Sequence, residues 1–500
     1  MNHALIMPIL LPLLVGCLLL LGHRQAASLK RLVSLTATWL LVPLALWLLW
    51  QAHTGDLTVY RLGGWEPPFG IMLLLDRLSA LMLLVTAVLA AFSMLYAVRG
   101  DDERGQNFHA LFQFQLVGLN GAFLTGDLFN LFVFFEVLLI SSYALLLHGH
   151  GAKRVRAGIH YVVLNLLGSS LFLIGVSMLY GLTGTLNMAD MAGRVSLADP
   201  ADAPLLAAAG YLLLVVFALK AAILPLYFWL PRAYASATAP VAALFAIMTK
   251  LGLYAIVRVF TLIFGSEAGV LNNMVLDWLW PLSMLTLAGG VLGALAARNL
   301  QILLSYLVVV SVGTLLAGIA LGTPEGLSAA LYYLAHSTLV SGGLFLLADL
   351  IARQRGDTAS ELISAPALKQ PLMLGALFFA GVISIAGLPP FSGFLGKVML
   401  LSAVPPGIDA FILWPVVLVG GLGMVIALSR AGSMVFWRPS EAVSVGRRAD
   451  SVRVAAAFGL LAGSVVLVVA AAPIQAYVQA AATQLFDLGP YMQIIRGGDA

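Results

Sequence analysis

Five ionisable side chains stand in the middle of long apolar runs: Glu136, Lys220, Lys250, His336 and Lys397. A charge at the centre of a bilayer costs about 2.5–3.5 kcal/mol even on the most lenient insertion scales, so each needs a partner, a water-filled cavity or a function. Carboxylate, ammonium and imidazole groups are also the chemistry of proton transfer. Glu136 would stabilise protonated Lys220 while desolvation favours the neutral amine, so a small change in their pairing toggles the charge. Imidazole titrates near neutrality in water, and His336 can carry protons between Lys250 and Lys397, with hydroxyls of Thr249, Ser337, Thr338 and Ser392 filling the gaps.

Each of these residues also has a structural reading. A buried Glu–Lys pair can simply pin two helices, His336 can be a packing donor, and Arg258 and Arg430 can pair or snorkel. Asp76, Asp349, His148, His150 and His160 fall near the expected helix ends and read as interfacial, with His160 and Asp349 as candidates for a proton entrance.

The elements that position these groups follow from composition. Of 500 residues, 61% are hydrophobic and 10% charged, and the mean hydropathy is +1.01. Stretches of about 20 apolar residues, the length of one helical crossing, recur along almost the whole chain. They run over 3–22, 32–50, 71–98, 108–125, 128–147, 158–181, 205–224, 240–264, 276–296, 301–321, 326–350, 372–403, 409–436 and 452–472. The expected fold is therefore an all-α polytopic membrane protein of about fourteen transmembrane helices.

Depth follows from a rise of 1.5 Å per residue. Glu136 lies about 13 Å past the turn at Asp127, Lys250 about 15 Å past Pro240, and His336 about 15 Å past Gly326. Lys397 lies about 12 Å before Pro405, so these groups share one level near the midplane. Segment 372–403 is too long for one straight crossing, and the expected break is at Pro389 and Pro390. Pro225, five residues beyond Lys220, interrupts the seventh segment in the same way.

Discontinuous helices at matching places in two halves point to inverted repeats around a midplane site. Helices 4–8 and 9–13 are the expected units, giving segments 1–107, 108–265, 266–438 and 439–500.

Loop charge tests the helix count. Lys30 and Arg31, Arg99 and Arg104, Lys153, Arg154 and Arg156, Arg353 and Arg355, and Arg447 and Arg448 all fall on one side. The loops and tail of the other side hold Arg61, Arg194 and Arg496. The positive-inside bias makes the first side cytoplasmic and both termini non-cytoplasmic, and demands two crossings between the basic segments 99–104 and 153–156, joined by a tight outside turn at Gly126-Asp127.

Several function classes drop out. A net charge of +4, scattered through loops, does not describe a nucleic-acid surface. Cys17 is the one cysteine, so neither an internal disulfide nor an ordinary cysteine-bound cluster or metal is expected. The string ending at Cys17 reads as part of a first helix and not as a lipoprotein signal. No phosphate-binding glycine motif is present, so no nucleotide and no cofactor are expected and energy must come from an ion gradient or partner subunits.

Three stretches carry a family resemblance: GDLFNLFVFFEVLLISSYALL from Gly126, LKAAILPLYFWLPRAYASATAPVAALFAIMTKLGLYAIVRV from Leu219 and GLPPFSGFLGKVML from Gly387. The chain resembles the antiporter-like membrane subunits shared by Mrp-type cation/proton antiporters and respiratory complex I. Within them it looks most like the D-type subunits of the Mrp antiporters. The resemblance implies a proton path through the fifth-helix glutamate, the seventh- and eighth-helix lysines and a lysine or glutamate of the broken twelfth helix, which match Glu136, Lys220, Lys250 and Lys397.

It further implies a prokaryotic inner-membrane location and a hetero-oligomeric complex exchanging H+ for Na+ or K+. The competing expectations are a proton-pumping subunit of an NADH:quinone oxidoreductase and a membrane scaffold without an ion path. One departure is Phe228, where relatives often carry a histidine beside the tryptophan of the seventh-helix break.

Overall fold

The computed structural model describes residues 3–65, 70–149, 151–440 and 448–495. His150, Arg447 and Arg496 lie outside them.

Among the described residues, twelve helical stretches are long and apolar enough to cross a membrane. In chain order the helices begin α1 (Met7–Leu21), α2 (Ala27–Ala52), α3 (Arg77–Ala97), α4 (Phe108–Leu124), α5 (Leu128–Leu147) and α6 (Ala152–Thr183). They continue with α7 (Met188–Ser196), α8 (Ala203–Ala221), α9 (Leu230–Ser236), α10 (Ala239–Phe245), α11 (Met248–Leu262), α12 (Leu276–Ala296), α13 (Leu300–Ala320) and α14 (Pro324–Gln354). The last six are α15 (Pro371–Ala386), α16 (Ser392–Ala403), α17 (Ile408–Gly432), α18 (Ser451–Val469), α19 (Ala471–Phe486) and α20 (Gly489–Ile495).

Two expected crossings fall outside the twelve: α4, of 17 residues, and the shorter pair α15 and α16. Polar caps set many of the boundaries, because the first N–H groups of a helix have no intrahelical acceptor. Asp76 accepts from the Ser79 N–H at 2.8 Å to start α3, and Asp127 accepts from the Asn130 N–H at 2.7 Å to start α5 directly after the turn at Gly126. Asn187, Asn299, Thr323 and Asp450 do the same for α7, α13, α14 and α18.

Three departures from the expected elements stand out, and the first has a clear physical cause. Residues 72–75 are apolar but form strand β2 (Met72–Leu75), antiparallel to β1 (Thr58–Arg61), because the Asp76 cap delays the helix to Arg77. The eighth crossing is itself broken, α10 ending at Phe245 and α11 starting at Met248, without a proline at the junction. The region after α18 continues as α19 and α20, which pack against α3, α11 and α14 and against α7 respectively.

Helix α14 is the axis of the core. It is buried over nearly its whole length and contacts α3, α10, α13, α15, α16, α18 and α19. Close backbone approach fixes the neighbouring helices. A Cβ at Gly252 of α11 would stand 2.5 Å from the Ala221 nitrogen of α8, so only glycine lets these two helices meet beside Lys220 and Lys250.

Candidate functional site

Helix α8 ends one residue after Lys220. Ala222 adopts a left-handed conformation (φ +58°), its N–H donates to the Leu219 carbonyl at 3.2 Å, and the Ile223 N–H donates to Ala218 at 2.9 Å. These are the two bonds of a Schellman end. The indole of Trp229, beyond Pro225, also donates to the Leu219 carbonyl, at 3.1 Å.

Lys220 is 5% exposed, its Nζ has no hydrogen-bond partner, and it lies 4.6 Å from the centre of the Phe135 ring. Glu136 is half-buried and accepts a hydrogen bond from the Ser169 hydroxyl of α6. Among the described residues no ion pair within 4.0 Å joins Glu136 to Lys220, so Glu136 acts on the amine through space and not by contact. Successive residues of a helix point about 100° apart, so α5 presents Phe135 to the lysine and turns Glu136 toward α6.

Lys250 sits in the first turn of α11, directly after the unforeseen break, and is fully buried. Its ammonium donates to the Ser311 hydroxyl of α13 at 3.1 Å. The adjacent Thr249 hydroxyl is buried without a partner.

His336 is also fully buried, and its Nδ1 is 2.8 Å from the Ser392 hydroxyl. Ser392 continues to Ser464 at 2.7 Å and Ser464 to Ser384 at 2.7 Å, so three hydroxyls from α15, α16 and α18 end on the imidazole. The Nε2 has no partner. A side chain at Gly393 would come within 2.8 Å of that Nε2.

Lys397 of α16 is 8% exposed and donates to the Ala386 carbonyl, the last of α15, at 2.7 Å. The helix stops before Pro389 and Pro390 with another Schellman end: Gly387 (φ +79°) donates to Ser384 at 3.2 Å and Leu388 to Ile383 at 3.0 Å. A Cβ at Gly387 would lie 2.7 Å from the lysine Cδ.

The accessory residues separate. Ser337 bonds back to the Leu334 carbonyl at 3.3 Å and Thr338 has no partner. Asp349 accepts from Tyr96 at 2.6 Å and from Arg353 at 2.5 Å, and Arg353 reaches Asp101 at 2.8 Å. Asp101, in the loop after α3, is pushed up by burial and by Asp349, against the pull of Arg353, Arg104 and Arg453.

His160 is exposed on α6 with its ring edge-on to Phe228, 5.7 Å between centres. An imidazole therefore lies beside the position where the expected histidine is replaced. Arg430 donates to the Ala297 carbonyl at 2.8 Å. Arg258 is paired with Asp76, at 2.5 and 3.0 Å. Burial alone would raise Asp76, but the charge and hydrogen bonds of Arg258 outweigh it and hold the carboxyl below its ordinary range.

Ser169, Ser311, Ser384 and Ser464 are the site residues that sequence reasoning missed. Their only signal is a hydroxyl inside an apolar span. Among the described residues, no group of histidine, cysteine or carboxylate side chains could hold a metal ion.

A family model described as NADH:quinone oxidoreductase/Mrp antiporter, TM, matches residues 125–422, which include all five central ionisable residues. The chain belongs to this family. It is 42% identical over 518 residues to a probable K(+)/H(+) antiporter protein of the D type from Rhizobium meliloti, covering 97% of this chain and 96% of the relative. It is 41% identical over 400 residues to the D-type Na(+)/H(+) antiporter protein of Bacillus subtilis, covering 79% and 80%. Its structure is similar to a chain of the Mrp complex from Dietzia sp., with a TM-score of 0.89 and 28% identity over 99% of this chain and 100% of that one.

Proposed function

We propose that this chain is the D-type membrane subunit of a multi-subunit Na+ or K+/H+ antiporter, and that protons cross it laterally through Glu136, Lys220, Lys250, His336 and Lys397. The observation that carries the proposal is the state of the three lysines. Each is at least nine-tenths buried, each stands next to a helix break, and none has a carboxylate within ion-pair distance among the described residues. A buried amine without a counter-charge serves structure poorly and proton transfer well.

The breaks near Pro225 and at Pro389 and Pro390 bend the path toward the two membrane faces, and the matching Schellman ends of α8 and α15 support two inverted five-helix units over 108–265 and 266–438. Glu136, half-buried at mid-depth, calls for cover by another membrane subunit, since a carboxylate facing lipid is costly. The chain would lie in a prokaryotic cell membrane with both termini non-cytoplasmic.

The test is cation-dependent proton exchange in vesicles holding the whole complex. Glu136→Ala, Lys220→Ala and Lys397→Ala, at equal assembly, should each lower exchange by on the order of 100-fold, the lower end of what a positioned acid–base group contributes. Unchanged exchange in all three would sink the relay. The family description also names NADH:quinone oxidoreductase, and a redox-driven pump would move protons on addition of a reductant and quinone without any cation gradient.

A further inference from the structure

Lys250, Tyr254 and Arg258 follow one another at intervals of four on α11, so they share one face, with Arg258 about 12 Å along the axis from Lys250. Arg258 is 2% exposed and its partner Asp76 is 0% exposed. The Tyr254 hydroxyl accepts from Arg258 at 3.2 and 3.3 Å and donates to the Phe123 carbonyl at 2.7 Å. Tyr491 of α20 donates to Asp76 at 2.8 Å.

The junction before α3, the middle of the chain and its last described helix thus converge on one sealed charge pair. A buried ion pair is on average no more stabilising than apolar residues of the same volume. Its presence on the face of α11 that holds Lys250 suggests an electrostatic task.

We propose that Asp76 is a positioning residue for Lys250: by neutralising Arg258 it keeps a second positive charge from opposing proton uptake two turns away, and Tyr491 holds Asp76 in that place. The proposal rests on Lys250 belonging to the proton path. Other charged and titratable groups on the elements around α11 are Tyr211 and Lys220 on α8, Glu325, Tyr332, Tyr333, His336 and the Asp349–Arg353 pair on α14, Arg77 and Tyr96 on α3, Tyr306 on α13, Tyr477 on α19, His109 at the far end of α4 and the Asp190–Arg194 pair on α7. α13 contributes the Ser311 hydroxyl. Of the carboxylates among them, Asp190 is paired with Arg194, Asp349 with Arg353, and Glu325 is exposed at the start of α14, so none is a buried anion free to replace Asp76.

An uncompensated charge about 12 Å away, at an effective dielectric of about 20, moves a titration by about one pH unit. In the whole complex, Asp76→Asn should therefore move the pH profile of exchange about one unit toward acid. Arg258→Gln, which leaves Asp76 unbalanced, should move it about as far toward alkaline. The double variant should return to the wild-type profile.

Tyr491→Phe, the mildest change, should shift the profile by a few tenths of a unit toward acid and serves if the single charge variants fail to assemble. Shifts of the two singles in the same direction, a Tyr491→Phe profile identical to wild type, or loss of rate with no shift would overturn the proposal. Lys250→Ala separates the levels: unchanged exchange there removes Lys250 from the path, whereas lost exchange together with unshifted Asp76 and Arg258 profiles defeats this inference alone.

Discussion

The two broken helices that carry Lys220 and Lys397 finish their first halves with the same pair of backbone bonds, and then treat the lysine in opposite ways. At the first break the lysine lies within the closing turn of α8, and the neutral indole of Trp229 takes the Leu219 carbonyl. The ammonium is left over the Phe135 ring with no acceptor.

At the second break the lysine reaches back from α16 and bonds the last carbonyl of α15 itself, where the negative end of the half-helix favours a cation. The left-handed residue differs accordingly. It is Gly387 where a Cβ would strike the lysine, and Ala222 where no lysine has to pass. One backbone device thus holds one lysine in a fixed bond and leaves the other free to find partners.

The strongest way to break this contrast is Gly387→Ala. The new methyl group would lie 2.7 Å from Lys397 Cδ, on top of roughly 1–2 kcal/mol for a side chain in the left-handed region. Lys397 must then leave Ala386, and exchange should fall roughly tenfold or more. Exchange at the wild-type rate would mean that the bond to Ala386 has no part in transport.

Next in size is Trp229→Phe, which removes the indole donor from Leu219. It should destabilise the protein by about 1 kcal/mol, read as a lower thermal midpoint of the complex, while exchange stays within a few-fold. Abolished exchange at normal assembly would instead make Trp229 part of the path. The smallest effect belongs to Ala222→Gly, which relieves a left-handed alanine. It should leave exchange unchanged and raise the midpoint slightly, by under about 1 kcal/mol, because the added chain entropy offsets part of the gain. A lower midpoint would contradict the strain assigned to Ala222.

Which features could be read from the sequence follows from where their signal lies. Ionisable residues inside apolar runs and prolines that halt helices are visible one residue at a time, so Glu136, the lysines, His336 and the breaks near Pro225 and Pro389 could be placed in advance. The break before Lys250 has no proline, and Ala246-Ile247 looks like uninterrupted helix. The MLLL run of β2 reads as membrane helix until the Asp76 cap and the pairing with Thr58–Arg61 are known.

Partners were the least legible. Ser311, Ser464 and Tyr491 come from helices far along the chain, and a hydroxyl announces its role only through what it faces. How Glu136 and Lys220 face each other was illegible for a related reason. The sequence puts both residues inside apolar helices, but only the rotation of α5 decides that Phe135 and not Glu136 meets the amine.

The most direct test of a single path through both breaks is a double-mutant comparison of exchange in the assembled complex: Lys220→Ala, Lys397→Ala and the two together. Groups acting in one series are strongly non-additive, so the double variant should be no slower than the slower single. Losses that multiply in the double variant would show that the two lysines serve separate routes and would contradict the account.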